Sequence, residues 1–234
     1  MEKILTKKNY HLARIVFWSI MTIIVAIMIM KEKDFSPLYG GRNFFKQVTW
    51  LHIPWLVSLL NIVLTLFGSK LIPLGSQKFH KRAYIPTGHR NIQINLKNNR
   101  IIWVILMWGI YLIIEWILLH YGIINGNIIF WGIVALNLLS LLFVSIWCLF
   151  GWVMGNRCCT GCRIFNWDAL MINSSFIFIP GVYGYTLIAL SILLFLQWEV
   201  AVYKHPERFS EKTNKALTCN SCQERLCGRC LYNK

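Results

Sequence analysis

Acidic side chains are scarce in this sequence. Its 234 residues hold 9 Asp plus Glu against 24 Lys plus Arg, and only 14% are charged. Soluble globular domains carry about 25% charged residues, so an ordinary soluble enzyme is excluded. Disorder is excluded as well, because 56% of the residues are hydrophobic and disordered chains are poor in them. Signatures of common catalytic chemistry are missing: there is no phosphate-cradling glycine loop, no nucleophile elbow and no H-E-x-x-H pair. Lys and Arg are themselves absent from residues 101–156, where Glu115 is the one acid.

What is there is a series of long apolar runs separated by basic segments. A helix needs roughly 20 apolar residues to cross the ~30 Å hydrocarbon core of a bilayer. Five regions meet or approach that length: about 13–30, 47–69, 101–121, 128–153 and 169–203. At the edge of the first, Arg14 can snorkel to the interface. Lys31-Glu32-Lys33-Asp34 follows this run where a signal peptide would have small residues for cleavage, so the run reads as a span. Pro54 falls in the first turns of the second run, where a missing N–H is tolerated. Gly122 and Asn125-Gly126 set a tight uncharged turn between the third and fourth. The fifth is interrupted by Asn173-Ser174-Ser175 and by Pro180-Gly181. It is either one span or a hairpin that returns to its starting side. Asp168 is expected to cap the helix that follows it. Trp50, Trp55, Trp103, Trp152, Trp167 and Trp198 lie near run ends and read as interface anchors. Trp108, Trp116 and Trp147 lie deeper and read as packing residues.

The formal charge of +15 is interleaved with apolar runs and is not gathered on one polar face. The expected partner is therefore the lipid bilayer with its anionic headgroups, and not nucleic acid. Cytoplasmic loops carry the excess of Lys and Arg. If the fifth region turns back on itself, the N-terminus, the second loop, the 154–168 segment and the tail share one side, and the basic residues divide 20 against 4. A single final crossing would leave almost no asymmetry. The hairpin is preferred, which makes the N-terminus and the tail cytoplasmic.

Seven of the eight cysteines fall in two groups flanking that fifth region. The first holds Cys158, Cys159 and Cys162. The second, Cys219, Cys222, Cys227 and Cys230, reads C-x2-C-x4-C-x2-C and is the most specific signal in the chain. Each C-x2-C turn aims two thiolates at one point, and two turns supply a closed S4 site for zinc. Cys222, Cys227 and Cys230 also match the spacing of plant-type iron–sulfur ligands. Arg225 and Arg229 would favour thiolates of either kind. Cys159 with Cys162 forms a further pair, a half site for a metal or a dithiol. If the fifth region is a hairpin, the two groups face each other. Cys148 stands alone in the fourth run and reads as a small buried hydrophobe.

Glu115 lies inside the third run, and His52 and His120 lie at run ends on the opposite, outer side. Ionisable groups at such depth are functional candidates, and these three are the expected cofactor-binding set, for a metal, a haem iron or proton transfer to a quinone. His11, His80, His89 and His205 sit among basic residues and are expected to be solvated.

The fold class that follows is all-α: a polytopic integral membrane helical bundle over residues 1–203, with a small Cys-rich metal-binding C-terminal tail over 204–234. The expected function is a membrane protein with a Cys-ligated metal centre, iron–sulfur or zinc, passing electrons toward a lipid-soluble carrier with a membrane or cytosolic redox partner. The competing expectation is a non-enzymatic scaffold whose zinc knuckle docks a cytosolic protein. A transporter is a third, because Pro180-Gly181 interrupts an apolar run.

Overall fold

The computed structural model describes residues 2–31, 49–88, 99–146, 148–155 and 162–218, with side chains from Lys8 onward and excepting that of Leu74. Among them the secondary structure is helical, apart from one isolated antiparallel bridge between Pro86 and Asn214. The α-helices are α1 (Glu2–Met30), α2 (His52–Leu66), α3 (Leu74–Gln77), α4 (Arg100–His120), α5 (Gly126–Ser145), α6 (Leu149–Val153), α7 (Trp167–Asn173) and α8 (Val182–Lys204). Four of them are long and apolar enough to cross a membrane: α1 from Lys8 onward, α4, α5 and α8. Their outer faces expose rows of large apolar side chains. On α4 these include Ile102, Leu106, Ile110, Ile113 and Ile117 at helical spacing, a face that suits lipid and not water.

Local chemistry explains where the helices stop. α2 ends before the run does, because Gly68 takes a left-handed conformation (φ 69°) and the last carbonyls close back on Phe67, Gly68 and Ser69. At 15 residues it is roughly 22 Å long. α4 ends at the left-handed Gly122 (φ 69°). Asn125 then opens α5, its side chain accepting from the Ile128 N–H at 3.0 Å. The fourth apolar run is not one helix. α5 stops at Ser145, and Cys148 starts α6 by accepting from the Gly151 N–H at 3.3 Å. Cys148 is thus a half-buried cap and not a core residue.

The fifth region folds back on itself. α7 continues into a 3-10 turn (Ser174–Phe178), the chain reverses through residues 179–181, and α8 returns alongside. The first arm is roughly 20 Å long, too short to span. Asn173 Nδ2 donates to Ser191 Oγ at 2.8 Å across the hairpin. Gly184 permits the contact: a Cβ there would lie 2.7 Å from the Cβ of Phe176. Asp168 sits in the first turn of α7, not at its cap, which is Asn166.

α1 and α5 run antiparallel, tied by His11 to Ser145 at 2.8 Å and by the Trp131 indole N–H to the Thr22 carbonyl at 3.2 Å. α2 and α8 run parallel, with the Trp55 indole donating to Thr186 at 2.9 Å near both N-termini. These directions bring the starts of α1 and α4 and the ends of α2, α5 and α8 to one end of the bundle. The core between the helices includes Trp18, Val25, Phe130, Phe176, Leu187 and Trp198, each at most 2% exposed.

At that end three segments distant in sequence form a cap: residues 67–88, 162–166 and 205–217. Asn214 is its hub. Its side-chain oxygen accepts from the Ile85 and Ala216 N–H groups, both at 3.1 Å. Its amide donates to the carbonyls of Ala83 at 3.3 Å and Arg208 at 2.9 Å. Asn166 donates to the Ser76 carbonyl at 2.9 Å, and Arg208 to that of Phe79 at 2.9 Å. Trp198 and Trp167, expected as interface anchors, are buried against this cap, whereas Trp103 and Trp152 are largely exposed. Trp116, expected as a packing residue, is exposed as well.

Candidate functional site

Of the cysteines expected to bind metal, Cys162 lies within the described residues; Cys158, Cys159, Cys219, Cys222, Cys227 and Cys230 lie outside them. Cys162 is buried in the cap. Its carbonyl accepts from the ammonium of Lys78, a fully buried lysine whose Nζ also lies 5.2 Å from the Trp198 ring and 5.7 Å from the Phe209 ring. One residue on, Arg163 grips Glu199 through both guanidinium ends, one at 2.7 Å. The Trp167 indole donates to the same carboxylate at 2.8 Å. The stretch that follows the first cysteine group and the stretch that precedes the second therefore meet around Lys78. Among the described residues no group of three or more His, Cys, Asp or Glu is placed to hold a metal ion.

His52, Glu115 and His120 are not brought together as ligands. His52 Nδ1 accepts from the Thr49 N–H at 3.0 Å. His120 is exposed and stacks on Trp116 with ring centres 5.5 Å apart. Glu115 is buried and faces the hairpin instead. The Tyr111 hydroxyl donates to it at 2.5 Å, with Ser175 Oγ 3.4 Å from that hydroxyl. The Trp108 indole donates to Ser174 at 3.1 Å one turn away. These contacts fasten the short arm of the hairpin to α4 and give Glu115 a structural occupation.

The structure also holds a polar site that the sequence reading dispersed. A cavity of about 70 Å3 opens between α1, α2, α5 and α7, lined by His11, Arg14, Asn61, Asn137, Ser140 and Asp168 among others. Arg14 does not snorkel outward, and His11 is buried, not solvated. The Arg14 Nε and the Asn61 Oδ1 are buried without hydrogen-bond partners. Asp168 lines the cavity and is exposed, yet desolvation pushes its carboxyl up to about 6, against the opposing Ala169 N–H and the Arg14 charge. Helical spacing carried a signal for this site: His11 and Arg14 at the edge of the first apolar run, and Ser58, Asn61 and Thr65, and Asn137 and Ser140 within later ones, each repeat at three or four residues.

Three comparisons with known proteins give no similarity to build on: no family model, no curated protein and no solved structure matches the chain.

Proposed function

We propose that this integral membrane protein carries a Cys-ligated metal centre beside its cap and uses it to pass electrons toward a lipid-soluble carrier. One observation supports the reading above others: Lys78 touches both Cys162 and Phe209, so the flanks of the two cysteine groups share one neighbourhood. Cys158, Cys159, Cys162, Cys219, Cys222, Cys227 and Cys230 then supply more thiols than one tetrahedral site needs. Lys78 and Arg163 in the cap add positive charge that favours thiolates. The division of basic residues along the chain, 20 against 4, supports a cytoplasmic cap and cytoplasmic termini. Thiols there stay reduced and open to metal.

The experiment is anaerobic purification of the whole chain with metal analysis and absorption spectra. Stoichiometric iron with sulfide, lost when Cys222 and Cys230 are both changed to Ser, is the expected result. Unchanged metal content in that variant overturns the metal centre. Stoichiometric zinc without cluster absorption overturns electron transfer and leaves a scaffold whose zinc knuckle docks a cytosolic partner.

A further inference from the structure

The polar cavity is not isolated. Ser140, Asp168 and Ile172 line both it and a second, larger space. That second space is a groove of about 250 Å3 with an almost wholly apolar wall, built from Trp108, Leu136, Leu139, Phe143, Phe150 and Met171. A polar chamber and an apolar groove thus adjoin at these three residues within the bundle. The chamber lies toward the cap, since Ser76 and Asn166 also line it. That is headgroup depth for the leaflet on the cap side, with the groove beside it.

The chamber is short of acceptors. Arg14 offers five N–H donors and no acceptor, and among the described residues no carboxylate lies within ion-pair distance of it. An arginine drawn into a bundle is costly unless its charge is met. Asn166 and Asn173 are already engaged with Ser76 and Ser191. Asn61 has an idle oxygen, and rotation of its amide would present two donors in its place. A chamber of 70 Å3 holds several waters, each needing about 10–15 Å3 on this measure, or one small anionic group. An ammonium head would meet the Arg14 charge and find only Asp168 to pair with, whereas an anionic head answers the unpartnered Arg14 donor directly. Asp168, its carboxyl raised to about 6, is mostly ionised at neutral pH and opposes an anion there; taking up a proton below that value removes the opposition.

We propose that chamber and groove form one binding site for an anionic amphiphile, its phosphate or carboxylate held by Arg14 and Asn61 and its chain lying along Trp108, Leu139 and Phe143. The guanidinium fork suits either head, because both present paired oxygens. The site is independent of the cysteines and stands whether or not they hold metal.

Native mass spectrometry of the detergent-solubilised whole chain tests this with three probes: phosphatidic acid, phosphatidylcholine of the same chains, and inorganic phosphate. Phosphatidic acid should be retained in preference to phosphatidylcholine. Arg14→Gln should weaken phosphatidic acid by about tenfold to a hundredfold, the loss of one charge-assisted contact. It should weaken phosphatidylcholine, whose phosphate is singly charged and capped by choline, by less. Leu139→Trp, which fills the groove, should weaken the lipid and spare inorganic phosphate. Equal retention of the two lipids overturns the proposal. So does phosphate binding that depends on Arg14 while Leu139→Trp leaves phosphatidic acid untouched, the result expected of a site for free anions. Should Arg14→Gln fail to fold, Leu139→Trp carries the test alone, since Leu139 stands 40% exposed on the outer wall and its exchange need not disturb the core.

Discussion

Arg163 and Glu199 form a two-pronged ion pair that ties the chain just before α7 to the last turns of α8. The pair closes the open end of the hairpin, opposite the reversal at residues 179–181. The side chains are 14% and 28% exposed, so solvent screens them in part and the value of the pair is modest. Replacing either residue with Gln should cost about 1–3 kcal/mol, because the other is left without its partner. Thermal unfolding in detergent, read as a double-mutant cycle, measures the coupling. Additive single effects would mean that the pair does not hold the hairpin closed.

Asn214 joins the tail to the second loop through four hydrogen bonds and is fully buried. Asn214→Ala leaves buried donors and acceptors unsatisfied, each worth about 1–3 kcal/mol. The loss is local, because the helices below do not depend on it. The expected outcome is faster tryptic cleavage at Lys212 and Lys215 with the melting temperature of the helices little changed. Equal cleavage rates would show that the cap is held by its apolar contacts alone.

His80 makes the cap sensitive to acid. Burial against Phe79, 4.1 Å away between ring centres, holds its imidazole below the usual value near 6.5, opposed in part by the Thr65 carbonyl and reinforced by the charges of Arg82 and Arg208. The unfolded segment therefore takes up a proton at a higher pH than the folded cap does. Stability is complete above about pH 6.5 and falls as pH drops through the folded value. The protection of amides across residues 78–84 from hydrogen exchange, corrected for the intrinsic rate at each pH, should fall between pH 7.5 and 5.5 in the wild type and lose that dependence in His80→Gln. Protection in the wild type that does not vary with pH would mean that the ring is not desolvated in solution.

The parts of this architecture written plainly in the sequence are those that depend on composition over many residues. α4 occupies a stretch whose one charged interior residue is Glu115, and its limits are a basic residue, Arg100, and a left-handed glycine, Gly122. Details that depend on tertiary partners were not legible. The break between α5 and α6 falls on an unremarkable apolar stretch. Burial of Trp198 required knowing that Phe79 and Phe209 pack on it from two distant segments. His11 read as solvated because it follows Lys7 and Lys8, but α1 begins at Glu2 and its helical phase turns that ring toward Ser145. Glu115 stood out as an ionisable group deep in an apolar run, yet its partner, Tyr111, lies on its own helix rather than on the helix of His52. Grouping three ionisable residues by depth alone ignored which faces they occupy.

The convergence of the cap segments makes the sidedness of the whole chain testable with one added thiol. Residues 67–88, 162–166 and 205–217 share hydrogen bonds, so they lie on one side of any membrane the bundle crosses. The turn between α4 and α5 lies at the other end, and Ile123 there is 66% exposed. With the cap cytoplasmic, Cys162 and the cysteines that flank the hairpin are shielded from the outside. An impermeant maleimide applied to right-side-out membranes should therefore leave the wild-type chain unlabelled and label Ile123→Cys. Opening the membranes should add labelling of the tail in both. The expected ratio before and after opening is large, because access to a thiol across a sealed bilayer is all-or-none. Labelling of the wild-type tail in sealed membranes, with Ile123→Cys protected, would invert the orientation. It would put seven thiols on an oxidising face and make disulfides, not metal, the expected state of those cysteines.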